Sequence, residues 1–169
     1  SEHLRKETTD WTNAEIMAAV GAPDQHPEGR FFPDTYRYHK GMTDLALLER
    51  AYARMDNMLR DAWAGRSDDL PLETPYEALI LASLIERETG VPNERRRIAG
   101  VFVRRLERGM RLQTDPTVIY GMGEDYDGNI TRDDLRRETP YNTYVIDGLP
   151  PTPIAMPGEA SLEAAVDPA

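Results

Sequence analysis

A chain of 169 residues is long enough for one ordinary domain with a real core, and 40% hydrophobic with 30% charged residues is the composition of a soluble globular protein. The net charge of −10 argues against a general nucleic-acid binder, and the absence of cysteine excludes disulfide and thiolate chemistry. No run is long enough to span a bilayer and no signal peptide opens the chain at Ser1. The three histidines, His3, His26 and His39, lack ligand spacing, which argues against a histidine-based metal site.

In chain order, Asn13 to Val20 reads as a short helix, followed by a loop with Gly21, Pro23, Pro27 and Gly29. The stretch RFFPDTYRYHKGMT is aromatic with a proline break, which predicts a strand or extended arm ending in a turn at Gly41. Thr43 is the expected N-cap of a long helix from Asp44 to about Ala64. Its apolar positions Leu45, Leu48, Tyr52, Met55 and Leu59 keep helical spacing, and Gly65 supplies the stop. Thr74 caps the next helix, with Pro75 at its first position and Glu77 three residues after the cap.

That helix runs into LILASLIERETG, Leu79 to Gly90, the stretch around which the chain is expected to be organised. Its apolar residues go almost all the way round the helical wheel, the mark of a buried helix. At 100° per residue, Leu81, Leu84 and Ile85 bracket Glu88, which projects from the most apolar stripe. Glu86 falls in line with Leu79, Ala82, Ser83 and Gly90 on a narrower, mixed face. A buried carboxyl is expensive unless paired or neutral, so two pointing apart should do different jobs. General acid or base work is one, and a helix end meeting solvent is the plain alternative.

A further helix is predicted from about Glu94 to Arg108, with Ile98, Val101, Phe102 and Leu106 as its core stripe and Arg105 in the middle of it. A buried arginine needs a partner, and Glu88 is the obvious candidate, which assigns both Glu88 and Arg105 a structural role. Eight of the twenty basic residues lie between Arg87 and Arg111, opposed only by Glu88, Glu94 and Glu107. Such a run is either a solvated helix face or a basic rim for an anionic substrate.

After Gly109 the character changes. MRLQTDPTVIYGMG is nearly uncharged, is broken by Pro116 and carries Gln113, Thr114, Asp115 and Thr117, a polar cluster that either lines a site or makes a turn. Asp127-Gly128 is a good hairpin centre, and the Asp125-x-Asp127 pattern lacks the rest of a calcium loop. Tyr141 to Tyr144 reads as a short strand, then comes the stiff loop GLPPTPIAMPG, and Ser161 to Val166 reads as the start of a helix the chain barely completes. The expected fold class is α+β: a helical N-terminal half through Arg108, packed against a mixed strand and loop half that forms a groove.

LASLIERETG, VFVRRLERGMRLQTDPTVIYGMG and TPYNTYVIDGLPPTPIAMPG, with GRFFPDTYRY upstream, closely resemble the MltG (YceG-like) family of endolytic murein transglycosylases. The resemblance covers most of the chain. It implies cleavage, without water, of the β-1,4 bond between N-acetylmuramic acid and N-acetylglucosamine in peptidoglycan, leaving 1,6-anhydro ends and limiting strand length. It further implies Glu86, first glutamate of the E-x-E motif, as the single acid/base. Participation by the 2-acetamido group would replace a second carboxylate. Gln113, Thr114, Asp115, Tyr141, Asn142 and Tyr144 are implied to line the groove, with no metal and no cofactor.

Members are usually anchored at the periplasmic face of the inner membrane by an N-terminal helix, followed by a LysM-like region. Residues 1–169 resemble the catalytic domain that follows both, without membrane contact of its own. Glycan strands and cell-wall synthases are the implied partners. Two departures stand out: Thr152 replaces the usual glycine of the PPGP loop, and the chain stops at Ala169, short of the family's closing segment. The alternatives are a non-catalytic peptidoglycan-binding or scaffolding module, and a true hydrolase pairing Glu86 with Asp115.

Overall fold

The computed structural model describes residues 3–169. Six α-helices carry the architecture: α1 Asn13–Ala19, α2 Asp44–Ala64, α3 Pro75–Glu88, α4 Arg95–Glu107, α5 Asp115–Met122 and α6 Glu159–Val166. Three single-turn 3-10 segments, Pro92–Glu94, Gly123–Asp125 and Asp134–Arg136, bend the connections.

The helix starts follow local chemistry. Thr12 and Thr74 each close a capping box with the glutamate three residues on, and Thr43 accepts from the Ala46 N–H. Such a cap stabilises its helix by about 1 kcal/mol. Pro75 sits in the first turn of α3, where its missing N–H costs nothing.

α3 is the axis of the molecule. Every residue from Ala78 to Ile85 is buried, and α2, α4, α5 and α6 all pack on it. The all-round apolar wheel therefore has a direct cause, since no face of the helix is left to water. Each buried leucine or isoleucine here is worth about 1.5–3 kcal/mol. Ser83 is the one hydroxyl in that run. It donates to the Ile80 carbonyl at 2.6 Å and accepts from the Ile154 N–H at 3.0 Å, pinning the proline-rich loop to α3.

The expected α+β class does not hold. Among the described residues there is no strand, only an isolated parallel bridge between Arg5 and Thr43, so the fold is helical with long irregular loops. Three segments account for the difference. Asp115 to Met122 forms α5, with Pro116 in its first turn and Thr117, Val118 and Met122 buried. Tyr141 to Tyr144 is a chain of turns, and no ladder partner is needed because the Asn142 side-chain amide donates to the carbonyls of Leu135 and Arg137 and accepts from the Tyr144 N–H. Asp127-Gly128 makes an Asx turn to Asn129 in place of a hairpin.

The arm from Arg30 to Thr43 is likewise not a strand. It folds along α2, with Phe32 buried and its N–H bonded to the Ala51 carbonyl. α6, expected as a fragment, is a complete core helix with Ser161, Leu162, Ala164, Ala165 and Val166 buried.

Candidate active site

α3 emerges from the core in its last turn, and there its two glutamates part. Glu86 lies on the wall of a cleft of about 710 Å³ lined by Glu28, Arg87, Thr89, Gly90, Arg95, Tyr120 and Ile154–Met156. Its side chain is 27% exposed, enough to reach a ligand while remaining in a defined environment.

Two hydrogen-bond donors and one cation converge on the Glu86 carboxylate. The Gly158 N–H, at the N-terminus of α6, donates to Oε1 at 3.1 Å. The Ser161 hydroxyl, fully buried one turn into the same helix, donates to Oε2 at 2.7 Å. The Arg95 guanidinium lies 3.9 Å from Oε2, a charge contact beyond hydrogen-bond length. The positive end of α6 thus faces the carboxylate. Arg95 is largely buried, at 17% exposure, and its Nε finds no acceptor among the described residues.

Glu28 and Tyr120 also line the cleft. The Tyr120 hydroxyl donates to Glu28 Oε2 at 3.2 Å, and its ring packs 4.7 Å from that of Tyr141. Burial first, then the Glu28 charge, pushes the Tyr120 hydroxyl well above the ordinary tyrosine range, so it stays a donor. Tyr141 shares a 2.8 Å hydrogen bond with Thr152, tying the 141–144 turn segment to the proline-rich loop. Thr152, at the position where related chains were expected to carry glycine, is therefore part of the wall's support.

The residues expected from the sequence divide into two groups. Of them, Glu86 lines the cleft and Tyr141 backs it, whereas Gln113, Thr114, Asp115, Asn142 and Tyr144 do not line it. Thr114, Asp115 and Tyr144 instead gather around Glu88. The Thr114 hydroxyl donates to Glu88 Oε2 at 2.5 Å, and the Tyr144 hydroxyl donates to Asp115 Oδ1 at 2.6 Å. Gln113, at φ +51°, holds the strained turn that leads into α5. Asn142 is fully buried and supports the 134–137 turn.

The expected pairing of Glu88 with Arg105 is absent. Arg105 donates to the Leu112 carbonyl at 2.8 Å, and Glu88 is exposed. A helical wheel assumes that the core accompanies the stripe to its end, whereas α3 leaves the core at Ile85. Glu86, on the narrower face, is the more enclosed of the two because α6 and the loop before it cover that face.

Glu28, Tyr120, Gly158 and Ser161 escaped the sequence reading, and Arg95 figured only in the basic run. Glu28 stands one residue before the GRFFPDTYRY segment that carries the resemblance, and a lone glutamate in a proline and glycine loop has no periodicity to mark it. Ser161 lay in view only as one of two polar residues of SLEAAV, the other being Glu163, and nothing local set it apart as a site residue.

The sequence model of the YceG-like family matches residues 2–169. The chain is 39% identical over 166 residues to an endolytic murein transglycosylase of Bacillus subtilis (strain 168), covering 98% of this chain and 45% of that protein. It is 33% identical over 145 residues to an endolytic murein transglycosylase of Streptococcus pneumoniae serotype 2, covering 83% of this chain and 26% of the relative. A crystal structure of a yceG-like protein from Listeria monocytogenes superposes with a TM-score of 0.75 at 34% identity, over 92% of this chain and 54% of that one. The chain thus spans less than half the length of the curated relatives it matches.

Proposed function

The chain belongs to the YceG-like family, and from that premise we propose that residues 1–169 are the catalytic domain of an endolytic murein transglycosylase, with Glu86 as its acid and base. The observation that carries the proposal is the seat of Glu86: a carboxyl open to a cleft, with both oxygens held from behind by α6. A group that must both give and take a proton needs a fixed position in each state. The Ser161 hydroxyl can donate to the carboxylate and accept from the acid, so it holds Glu86 in both.

On this account Glu86 protonates the glycosidic oxygen between N-acetylmuramic acid and N-acetylglucosamine as the bond to C1 breaks. The 2-acetamido carbonyl covers C1, and Glu86, now a carboxylate, takes the proton of the C6 hydroxyl as that oxygen attacks C1. The product ends in 1,6-anhydro-muramoyl sugar and no water is consumed. Arg95 lines the cleft and holds its positive charge 3.9 Å from Glu86, where it favours the carboxylate left after the proton is given up.

The hydrolase alternative finds no support. Asp115 does not line the cleft, and one of its oxygens is engaged by Tyr144. Gln113, Thr114, Asp115 and Tyr144, with Glu88, form a second polar edge at the same end of α3, and we assign it the flanking part of the glycan strand, outside the bond-breaking step. The setting proposed with the activity is the periplasmic face of the inner membrane, next to cell-wall synthases. No helix among the described residues is long and apolar enough to cross a membrane.

Purified glycan strands incubated with the protein and read by mass spectrometry test the activity. Fragments lighter by one water than hydrolysis products are expected. Reducing ends would make it a hydrolase, and binding without fragments would make it a scaffolding module.

A further inference from the structure

The cleft contains a second carboxylate, and no step above uses it. Glu28 lies in the long loop between α1 and α2, yet its backbone is fastened to the cleft's own wall. Gly29 has φ +81°, and a Cβ there would stand 2.6 Å from the Pro153 Cβ, so the two loops approach as closely as a glycine permits. The Gly29 N–H also meets the Met156 sulfur at 3.1 Å. The segment it grips is the one that Ser83 ties to α3 through the Ile154 N–H. Glu28 is therefore held relative to Glu86 through a continuous chain of contacts.

Its two oxygens differ. Oε2 accepts from Tyr120, which burial and the Glu28 charge keep protonated. Oε1 has no hydrogen-bond donor among the described residues, and no basic side chain forms an ion pair with Glu28. The cleft holds two arginines, Arg87 and Arg95, and of these Arg95 goes to Glu86. A carboxylate oriented by one donor and left open on its other oxygen is an acceptor for a substrate N–H or O–H.

We propose that Glu28 is a positioning carboxylate for the reacting sugar, accepting the N–H of its 2-acetamido group and stabilising the cation formed when that group attacks the anomeric carbon. The proposal rests on the role of Glu86 given above. Glu86 gives its proton to the leaving oxygen as the bond from that oxygen to C1 breaks and the acetamido carbonyl oxygen bonds to C1. The resulting oxazolinium carries its positive charge next to the N–H that Glu28 accepts. The C6 hydroxyl then attacks C1, the bond from C1 to the carbonyl oxygen breaks, and the hydroxyl proton passes to Glu86. Glu28 neither gains nor loses a proton, and no other reactant enters. Its charge acts where positive charge develops, which is why it should affect the rate more than binding.

The test compares wild type, Glu28→Gln and Tyr120→Phe on purified glycan strands, with anhydro ends counted by mass spectrometry. Glu28→Gln should lower kcat by about 100-fold with KM changed by less than about threefold, the pattern of an interaction made in the transition state. Tyr120→Phe keeps the carboxylate and removes only its orienting donor, so its loss should be about 10-fold or less. Equal losses in the two variants would mean that Glu28 only holds Tyr120, and would overturn the proposal. So would a kcat retained within about threefold in Glu28→Gln, or a rise in KM alone. Should Glu28→Gln fail to fold by circular dichroism, Glu28→Asp replaces it. That variant keeps the charge but withdraws it by one methylene, and a kcat loss above about 10-fold is expected. A wild type that yields reducing ends overturns the function itself, a failure recognisable without any variant.

Discussion

Ser161 donates a 2.7 Å hydrogen bond to Glu86 across 75 positions of sequence, from the first turns of one core helix to the last turn of another. α6 is buried along Leu162, Ala164, Ala165 and Val166, so the group that orients Glu86 is itself fixed by core packing. Stability and chemistry are joined at this pair.

Ser161→Ala should therefore act on both. Glu86 keeps the Gly158 N–H but loses the hydroxyl that can follow its proton, so kcat should fall about 10-fold with KM nearly unchanged. Losing a hydrogen bond to a charged group should cost about 1.5–3 kcal/mol in urea denaturation. A variant with wild-type kcat would show that Ser161 only packs.

Glu88 should behave differently. It is exposed and its partner is the Thr114 hydroxyl, with no arginine partner, so Glu88→Gln should lose no more than about 1 kcal/mol and keep producing anhydro ends. The 3–5 kcal/mol expected of a broken buried ion pair does not apply. Denaturation of Glu88→Gln beside wild type decides it. A loss of about 3 kcal/mol or more would mean that Glu88 is buried in solution.

Tyr144 gives a prediction in pH. Burial first, then the hydrogen bond to Asp115 and the charges of Asp115 and Glu88, push its hydroxyl up to about 12 from the ordinary 10.0. Between these values the unfolded chain releases a proton that the folded chain retains, so the stabilising contribution is complete below pH about 10 and disappears as pH rises towards about 12. Carbon-13 NMR of labelled tyrosine should show this late titration, and Asp115→Asn should move it down. An unchanged midpoint in that variant would remove Asp115 as a cause.

How much of this was legible in the sequence follows from how local each cause is. Thr43, Thr74, Pro75 and the bounds of α2 were readable because a cap and its helix lie within four residues of each other. The burial of α3 was readable because its wheel has no polar face between Ala78 and Ile85. The strand expected at Tyr141 to Tyr144 failed because Asn142 satisfies distant carbonyls with its side chain, a contact no periodicity encodes. Of the candidate site, the family motif pointed to Glu86, which lines the cleft. Its surroundings come from Glu28, Tyr120, Gly158 and Ser161, residues brought together only by tertiary packing. The placement of Glu88 was misread because a wheel carries no information on where the core ends.

The central claim is that Glu86 is the acid and base of the cleft, and the most direct measurement is the anhydro-end yield of Glu86→Gln set beside its melting temperature. The account predicts a folded protein with anhydro product reduced by about 1,000-fold or more, since Glu28, the other carboxylate of the cleft, is assigned no proton transfer. A folded Glu86→Gln that releases anhydro ends at the wild-type rate would contradict it.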